Sequence, residues 1–422
     1  MGERPYSFVI LGATGLTGRG VLRYLRGRLV AASEPWAIVG RDKLALEVLA
    51  AAFPAECSPE VIVLAQLPDS SIEEIAAQTQ LLVNVAGPYA GFGIEVVSAC
   101  VESGTHYLDI CGELDVISEY VRLQHDAAKT SRIKIIPGAG FESLIFDIAT
   151  RVAVETLGTG NSDRRTSVEV LFSLLNVAND RMGASLSSGT LATSIDLLER
   201  HVSLELLLDP FCLTPEFKCE RVRELNRLGL DAWYDHRNRV WCAPLVPGPF
   251  INRAVVHRTS FLLTELGQGY GEDFTYQEAM NVSSIAPWPL GQSWAAHYIA
   301  GLAKSFVSAV GQRSGPLRDT LLALMNNQAI LAPEPSEAEL DGLGYQLDVR
   351  ASNDDGQVTS LRLVGAGHPG YRSTANIIGE AILALTEDFD SPATYGVITP
   401  AVGLGAAFLS RLKNAGVRFE IS

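Results

Sequence analysis

Through the first 150 residues of the chain, short apolar runs alternate with stretches of helical spacing. The runs at residues 7–11, 36–39, 60–64, 81–85, 106–109 and 134–136 have the length and composition of buried strands. Between them, apolar residues recur at three- and four-residue steps over 18–28, 43–52, 70–79, 92–103 and 115–129, which predicts helices. Short joints and runs apolar on both faces predict a parallel sheet covered by helices on each side. Pro137 and Gly138 break this rhythm, and helical spacing resumes over 142–156.

From Thr166 the pattern changes. Residues 168–174 read as a strand and 189–200 as a helix, while 209–254 are rich in proline and aromatics with little periodicity. Residues 277–325 are expected to be helical, with interruptions at Pro287, Pro289 and Gly311. Residues 344–353 and 358–365 read as paired antiparallel strands. Ile377, Ile378, Ala381, Ile382 and Leu385 predict one more helix over 371–385. The fold expected is α/β: a Rossmann-type parallel sheet with helices on both faces, plus an α+β domain with a mainly antiparallel sheet. The domains expected are 1–155, 156–370, and a segment 371–422 that packs back on the first.

At 422 residues the chain has room for two cores, and 47% hydrophobic against 19% charged residues excludes a largely disordered protein. The net charge of −15, without a basic block, argues against nucleic acid as a partner and against attraction to an anionic membrane. Six cysteines lie scattered without a CxxC pair, and the seven histidines lack metal-ligand spacing, so no metal is expected. With no signal-peptide pattern, these thiols predict a cytoplasmic setting. The uncharged stretch 391–410 contains Pro392, Gly396, Pro400, Gly403 and Gly405 and reads as a buried strand–turn–helix rather than a membrane span. Peripheral attachment to lipid and a homodimer both stay open.

The chemistry starts where the first strand ends, in Gly12-Ala13-Thr14-Gly15-Leu16-Thr17-Gly18. Three glycines at three-residue spacing between a strand and a helix let the backbone approach a pyrophosphate, whose charge the helix N-terminus stabilises. At the end of the second strand stand Val39-Gly40-Arg41-Asp42, with no acid at the tip for a ribose hydroxyl. Arg41 there favours the 2′-phosphate of NADPH over NADH, while Asp42 suits a helix cap. After the fourth strand, Ala86-Gly87-Pro88 is expected along the nicotinamide, with Tyr89 offering a hydroxyl at the rim as a proton donor. Asp109 and Glu113 flank a glycine turn after the fifth strand, where they can orient substrate, move a proton or cap the next helix. Cys111, with no histidine nearby in sequence, reads as a buried thiol. Glu142 and Ser143 read as helix-capping residues, and His368 and Tyr371 as turn residues within possible reach of a site.

Several of these segments together resemble the saccharopine dehydrogenase-like oxidoreductases, especially their trans-acting enoyl reductase branch. They are GATGLTG (12–18), VGRDKL (39–44), NVAGPYAGFG (84–93), ACVESGTHYLDICGE (99–113) and IIPGAGFESLIFD (135–147). GHPGYRSTANIIGEA (367–381) and GVITPAVGLGAAFLSRLKNAG (396–416) also match, whereas 166–336 matches loosely. Glu142 stands where the family commonly has aspartate. The resemblance implies a Rossmann domain, a nicotinamide cofactor, and reduction of a C=C bond in a lipid or polyketide intermediate made by a separate synthase. A small apolar or carrier-bound substrate follows from that. Two other readings remain: C=N oxidoreduction, for which Arg237, Arg239, Arg253 and Arg258 are candidates to hold carboxylates, and a non-catalytic nucleotide-binding scaffold.

Overall fold

A computed structural model describes residues 4–29, 35–64, 71–158, 165–177, 188–200, 202–217, 219–245, 250–286, 288–331, 335–387 and 391–422. The chain forms two compact units, one of Met1–Ile148 with Tyr371–Gly416 and one of Ala149–Gly370 with Val417–Ser422.

The first unit is laid down as β1 (Tyr6–Leu11), α1 (Leu16–Arg28), β2 (Ala37–Gly40), α2 (Lys43–Ala51), β3 (Glu60–Val63), α3 (Ser71–Ala77), β4 (Thr79–Asn84), α4 (Gly93–Ser103), β5 (His106–Asp109), α5 (Leu114–Thr130) and β6 (Lys134–Ile136). Helix α6 (Phe141–Leu157) then carries the chain into the second unit. That unit contains β7 (Thr166–Leu175), α7 (Ser188–Arg200), α8 (Leu204–Leu208), α9 (Glu220–Leu225), β8 (Trp233–Asp235), β9 (Val240–Ala243), α10 (Ile251–Thr264) and β10 (Thr275–Asn281). It continues through α11 (Pro289–Val310), α12 (Pro316–Leu331), α13 (Glu337–Gly342), β11 (Gly344–Asn353) and β12 (Val358–Ala366). The chain then returns to the first unit with α14 (Thr374–Thr386), β13 (Gly396–Val397), α15 (Pro400–Leu404) and α16 (Phe408–Arg411). β14 (Val417–Ile421) closes the chain on β12 of the second unit, so the last residues do not stay with the C-terminal segment of the first.

Every strand pair in the first sheet is parallel, in the order β13-β6-β5-β4-β1-β2-β3. β1 buries all six residues, as an apolar run must when both faces are covered. The crossovers leave β1 in opposite directions, toward β2 on one side and β4 on the other. A crevice for ligands therefore opens beyond the carboxyl ends of β1 and β4. Helix α14 lies close against α1: a Cβ on Gly379 would come within 2.3 Å of the Tyr24 ring. The fully buried Glu380 accepts from the Tyr24 hydroxyl at 2.5 Å and pairs with Arg28 and Arg411, each at 3.1 Å.

The second sheet runs β14-β12-β11-β7-β10-β9-β8 and is antiparallel except for the parallel pair β10–β7. β10 corrects the expectation of continuous helix from 277. Thr275 and Tyr276 favour an extended chain, and pairing from Thr275↔Ser167 to Met280↔Phe172 satisfies the backbone in the ladder. Helix begins only at Pro289, whose fixed φ and missing N–H suit a first turn. Among the described residues, no helix is long and apolar enough to cross a membrane.

Candidate cofactor site and its carboxylates

The glycine turn is pinned between strands. Its Gly12 and Ala13 N–H groups donate to the Val39 carbonyl at 3.1 and 3.3 Å. Gly12 sits at φ +89°, and a Cβ there would meet the Ala86 nitrogen at 2.8 Å. A Cβ on Gly18 would come within 2.3 Å of the Gly12 carbonyl oxygen. Only glycine fits either place. Gly15 is the N-cap of α1; no side chain caps that helix and no acid stands in its first turn. The first N–H groups of α1 are thus left to an outside acceptor, with the dipole favouring an anion. This arrangement fits a dinucleotide pyrophosphate, with Thr14, Leu16 and Thr17 half-buried around it.

At the tip of β2, Asp42 caps α2 by accepting from Ala45 N–H at 3.0 Å. Arg41 is exposed and makes no hydrogen bond or ion pair among the described residues.

Across the switch point, Asn84 ends β4 fully buried and organises the loop that follows. Its side-chain oxygen accepts from Ala86 N–H at 3.0 Å, and its backbone carbonyl accepts from the Tyr89 hydroxyl at 2.9 Å. Ala86 is half-buried while Gly87 and Pro88, joined by a cis peptide bond, are exposed. Tyr89 is not at a rim. Its hydroxyl is buried, donating to Asn84 and accepting from Ile110 N–H at 3.3 Å. Burial, with Asp109 nearby, holds that phenol well above its ordinary range. A loop residue whose ring turns inward cannot be told from one facing solvent by spacing alone.

The two carboxylates also differ from a simple capping pair. Glu113 is the N-cap of α5 by position, yet its side chain does not cap that helix. Instead it is wholly buried and accepts from the N–H groups of Tyr89 and Ala90 at 2.9 and 3.0 Å, tying the β4 loop to the β5 turn. Asp109 accepts through Oδ1 from Cys111 and Gly138 N–H, both at 2.9 Å, while its Oδ2 is buried without a hydrogen-bond partner among the described residues. Burial raises this carboxyl to about 7, against the two N–H bonds that lower it and with Glu113 adding to the rise. The structure therefore brings Tyr89, Asp109 and Glu113 into one buried network. Cys111 lies in it as a buried thiol pushed well up by desolvation.

The turn after β6 was legible in the sequence, but the backbone it imposes on Glu142 and Ser143, read as helix-capping residues, was not. Residues Glu142 and Ser143 are not helical: Ser143 sits at φ +73°, ψ −68°, and regular helix starts beyond it. A β-carbon residue held in that region stores strain, which marks a site worth testing. Glu142 is half-buried, and desolvation raises its carboxyl to about 7. The glycines at 138 and 140 marked the turn, while nothing in the local sequence marks the positive φ of Ser143. His368 lies in the second unit, where its Nδ1 accepts from Gly370 N–H at 3.2 Å, and Tyr371 is buried in the first. Arg237 is exposed and paired with Glu169, whereas Arg253 and Arg258 are buried.

A parallel sheet with its order reversed at β1/β4 and a glycine turn at that point is the arrangement of a dinucleotide-binding domain. Residues 8–136 match the family model of the saccharopine dehydrogenase NADP binding domain. Over 441 residues the chain is 28% identical to a trans-acting enoyl reductase of Mycobacterium ulcerans, covering 98% of this chain and 97% of the relative. A trans-acting enoyl reductase of Mycobacterium tuberculosis H37Rv is 28% identical over 431 residues, with 98% and 97% covered. Among solved structures, apo saccharopine dehydrogenase (L-Glu forming) from Saccharomyces cerevisiae shares the fold at TM-score 0.51 and 11% identity, over 98% of this chain and 99% of that one. The chain thus resembles the saccharopine dehydrogenase NADP binding domain over residues 8–136 and the trans-acting enoyl reductases along almost its whole length.

Proposed function

We propose that the chain is an NADPH-dependent enoyl reductase, reducing the C=C bond of an α,β-unsaturated carbonyl in an intermediate supplied by a separate synthase. The observation that carries the cofactor part is the uncapped N-terminus of α1 behind Gly12 and Gly18, where a side chain cannot be placed. Arg41, exposed beyond β2 with no acid beside it at the strand tip, supports the 2′-phosphate of NADPH. Full-length similarity to proteins named trans-acting enoyl reductases supports the reaction and the synthase partner.

A bound nicotinamide would supply the hydride. The chain's own part is to hold that cofactor through the Gly12–Gly18 turn, with Ala86, Gly87 and Pro88 forming the neighbouring wall. Glu113 fixes this wall by holding the Tyr89 and Ala90 N–H groups. Glu142, in the turn that follows the carboxyl end of β6 and with its carboxyl raised to about 7 by desolvation, is the acid we assign to protonate the α-carbon. Tyr89, tied to a carbonyl and an N–H, and Asp109, tied to two N–H groups, then serve as positioning groups.

The test follows NADPH absorbance with a panel of 2-enoyl thioesters. Wild type is expected to turn over at least one. Arg41→Ala should raise KM for NADPH about tenfold and leave that for NADH unchanged, the loss of one charged phosphate contact. An absence of NADPH oxidation across the panel contradicts the proposal.

A further inference from the structure

Helix α10 in the second unit is buried at every position from Ile251 to Ser260, although it carries Asn252, Arg253, His257 and Arg258. Most of these polar groups have found partners. Asn252 donates to Glu278 Oε2 at 2.9 Å, the Tyr276 hydroxyl donates to the same oxygen at 2.8 Å, and Arg258 donates to the Leu213 carbonyl at 2.5 Å. Arg253 is the exception. It is 5% exposed, yet it makes no hydrogen bond or ion pair among the described residues. Glu278 acts on it only through space, beyond ion-pair distance. One helical turn on, His257 is 2% exposed and its Nε2 is buried with no partner. Its ring lies between Phe211 and Phe274, with centroids at 4.4 and 5.4 Å.

Burying a guanidinium that makes no hydrogen bond, with Glu278 countering it only through space, is costly, and an orphaned imidazole nitrogen adds to that. A fold can avoid both by placing leucine at these positions. The i, i+4 spacing instead brings the two donors to one face of α10, with aromatic rings packed against His257.

We infer that Arg253 and His257 form an oxyanion-binding site, taking the carboxylate of an apolar carboxylic acid. The guanidinium fork meets both carboxylate oxygens, His257 in its Nε2–H tautomer donates a third hydrogen bond, and Phe211 and Phe274 border the apolar body. Burial together with Arg253 lowers His257 to about 3, so the imidazole is neutral, while Arg253, lowered to about 10, stays cationic at neutral pH. The site itself stands on the second unit alone.

Octanoate and octanamide, equal in chain length and different in charge, are the probes. Isothermal titration of the full chain should give measurable octanoate binding, at least tenfold weaker octanamide binding, and at least tenfold weaker octanoate binding to Arg253→Leu. Arg253→Lys, which keeps the charge and loses the fork, should fall between. Without ligand, the Arg253→Leu protein should melt at or above the wild-type temperature, because a desolvated guanidinium that makes no hydrogen bond has been removed. Octanoate binding unchanged in Arg253→Leu overturns the inference, as does no octanoate binding by wild type. A lower melting temperature in Arg253→Leu that Arg253→Lys restores overturns it too, since that marks a structural cation. NADPH titration of the same samples separates the two claims: loss of octanoate binding alone removes this site, and failure to bind NADPH removes the oxidoreductase reading.

Discussion

At the scale of single residues, the first unit is governed by buried carboxylates, and Asp109 makes the firmest case. Its carboxyl is raised to about 7 in the fold, against an ordinary value of 3.8. As pH rises from about 4 to 7, the unfolded chain loses this proton while the folded chain keeps it, so the folded state binds more protons and stability falls. Above 7 both states are ionised and the contribution of this group is flat. Asp109→Asn retains an oxygen to accept from Cys111 and Gly138 N–H and removes the titration. Urea unfolding at pH 4.5 and 7.5 should therefore show a smaller difference in the variant than in wild type, by up to a few kcal/mol. Equal differences in the two proteins would mean that Asp109 does not hold its proton in the fold. Such a role was not legible beforehand: Asp109 and Glu113 were visible as an acidic pair, but their burial and the backbone N–H groups they accept from depend on loops distant in sequence.

Among the elements, α1 and α14 depend on one another. α1 carries the glycine turn, and α14 packs on it through the close approach at Gly379 and through Glu380. Glu380 binds Tyr24, Arg28 and Arg411 from full burial. Glu380→Ala leaves those donors without their carboxylate and should cost about 3–5 kcal/mol. The expected readout is a thermal midpoint lower by roughly 10 °C, by circular dichroism. A shift within error would remove Glu380 from the account of how α1 is held. Element by element, the chain could be read wherever one period dominated. β1, β2 and β4 were legible as apolar runs, and α14 as a sustained apolar face. β10 was not, because Gln277 and Glu278 interrupt the strand's apolar pattern and a strong helical signal follows at α11. α10 was legible as neither surface nor core, since Arg253 and Arg258 interrupt its apolar pattern and only tertiary packing buries them.

For the molecule as a whole, a parallel-sheet unit supplies a glycine turn fit for a dinucleotide and a second, mainly antiparallel unit supplies a buried guanidinium that makes no hydrogen bond among the described residues. The first was foreseeable because the dinucleotide turn is local: strand, glycines and helix are consecutive. The second was not, because it is assembled from α10, β10 and the Phe211 loop. An overall charge of −15 offers no general attraction to a phosphate, so cofactor affinity has to come from the Gly12–Gly18 turn and its near neighbours. The most direct measurement is fluorescence titration of the full chain with NADPH, in wild type and in Gly12→Ala, with circular dichroism to confirm that the variant is folded. A β-carbon at φ +89° and 2.8 Å from the Ala86 nitrogen must displace the turn, so saturable wild-type binding and at least a tenfold loss in the variant are expected. A folded wild-type chain that gives no saturation, or a Gly12→Ala protein that binds equally well, would contradict the account.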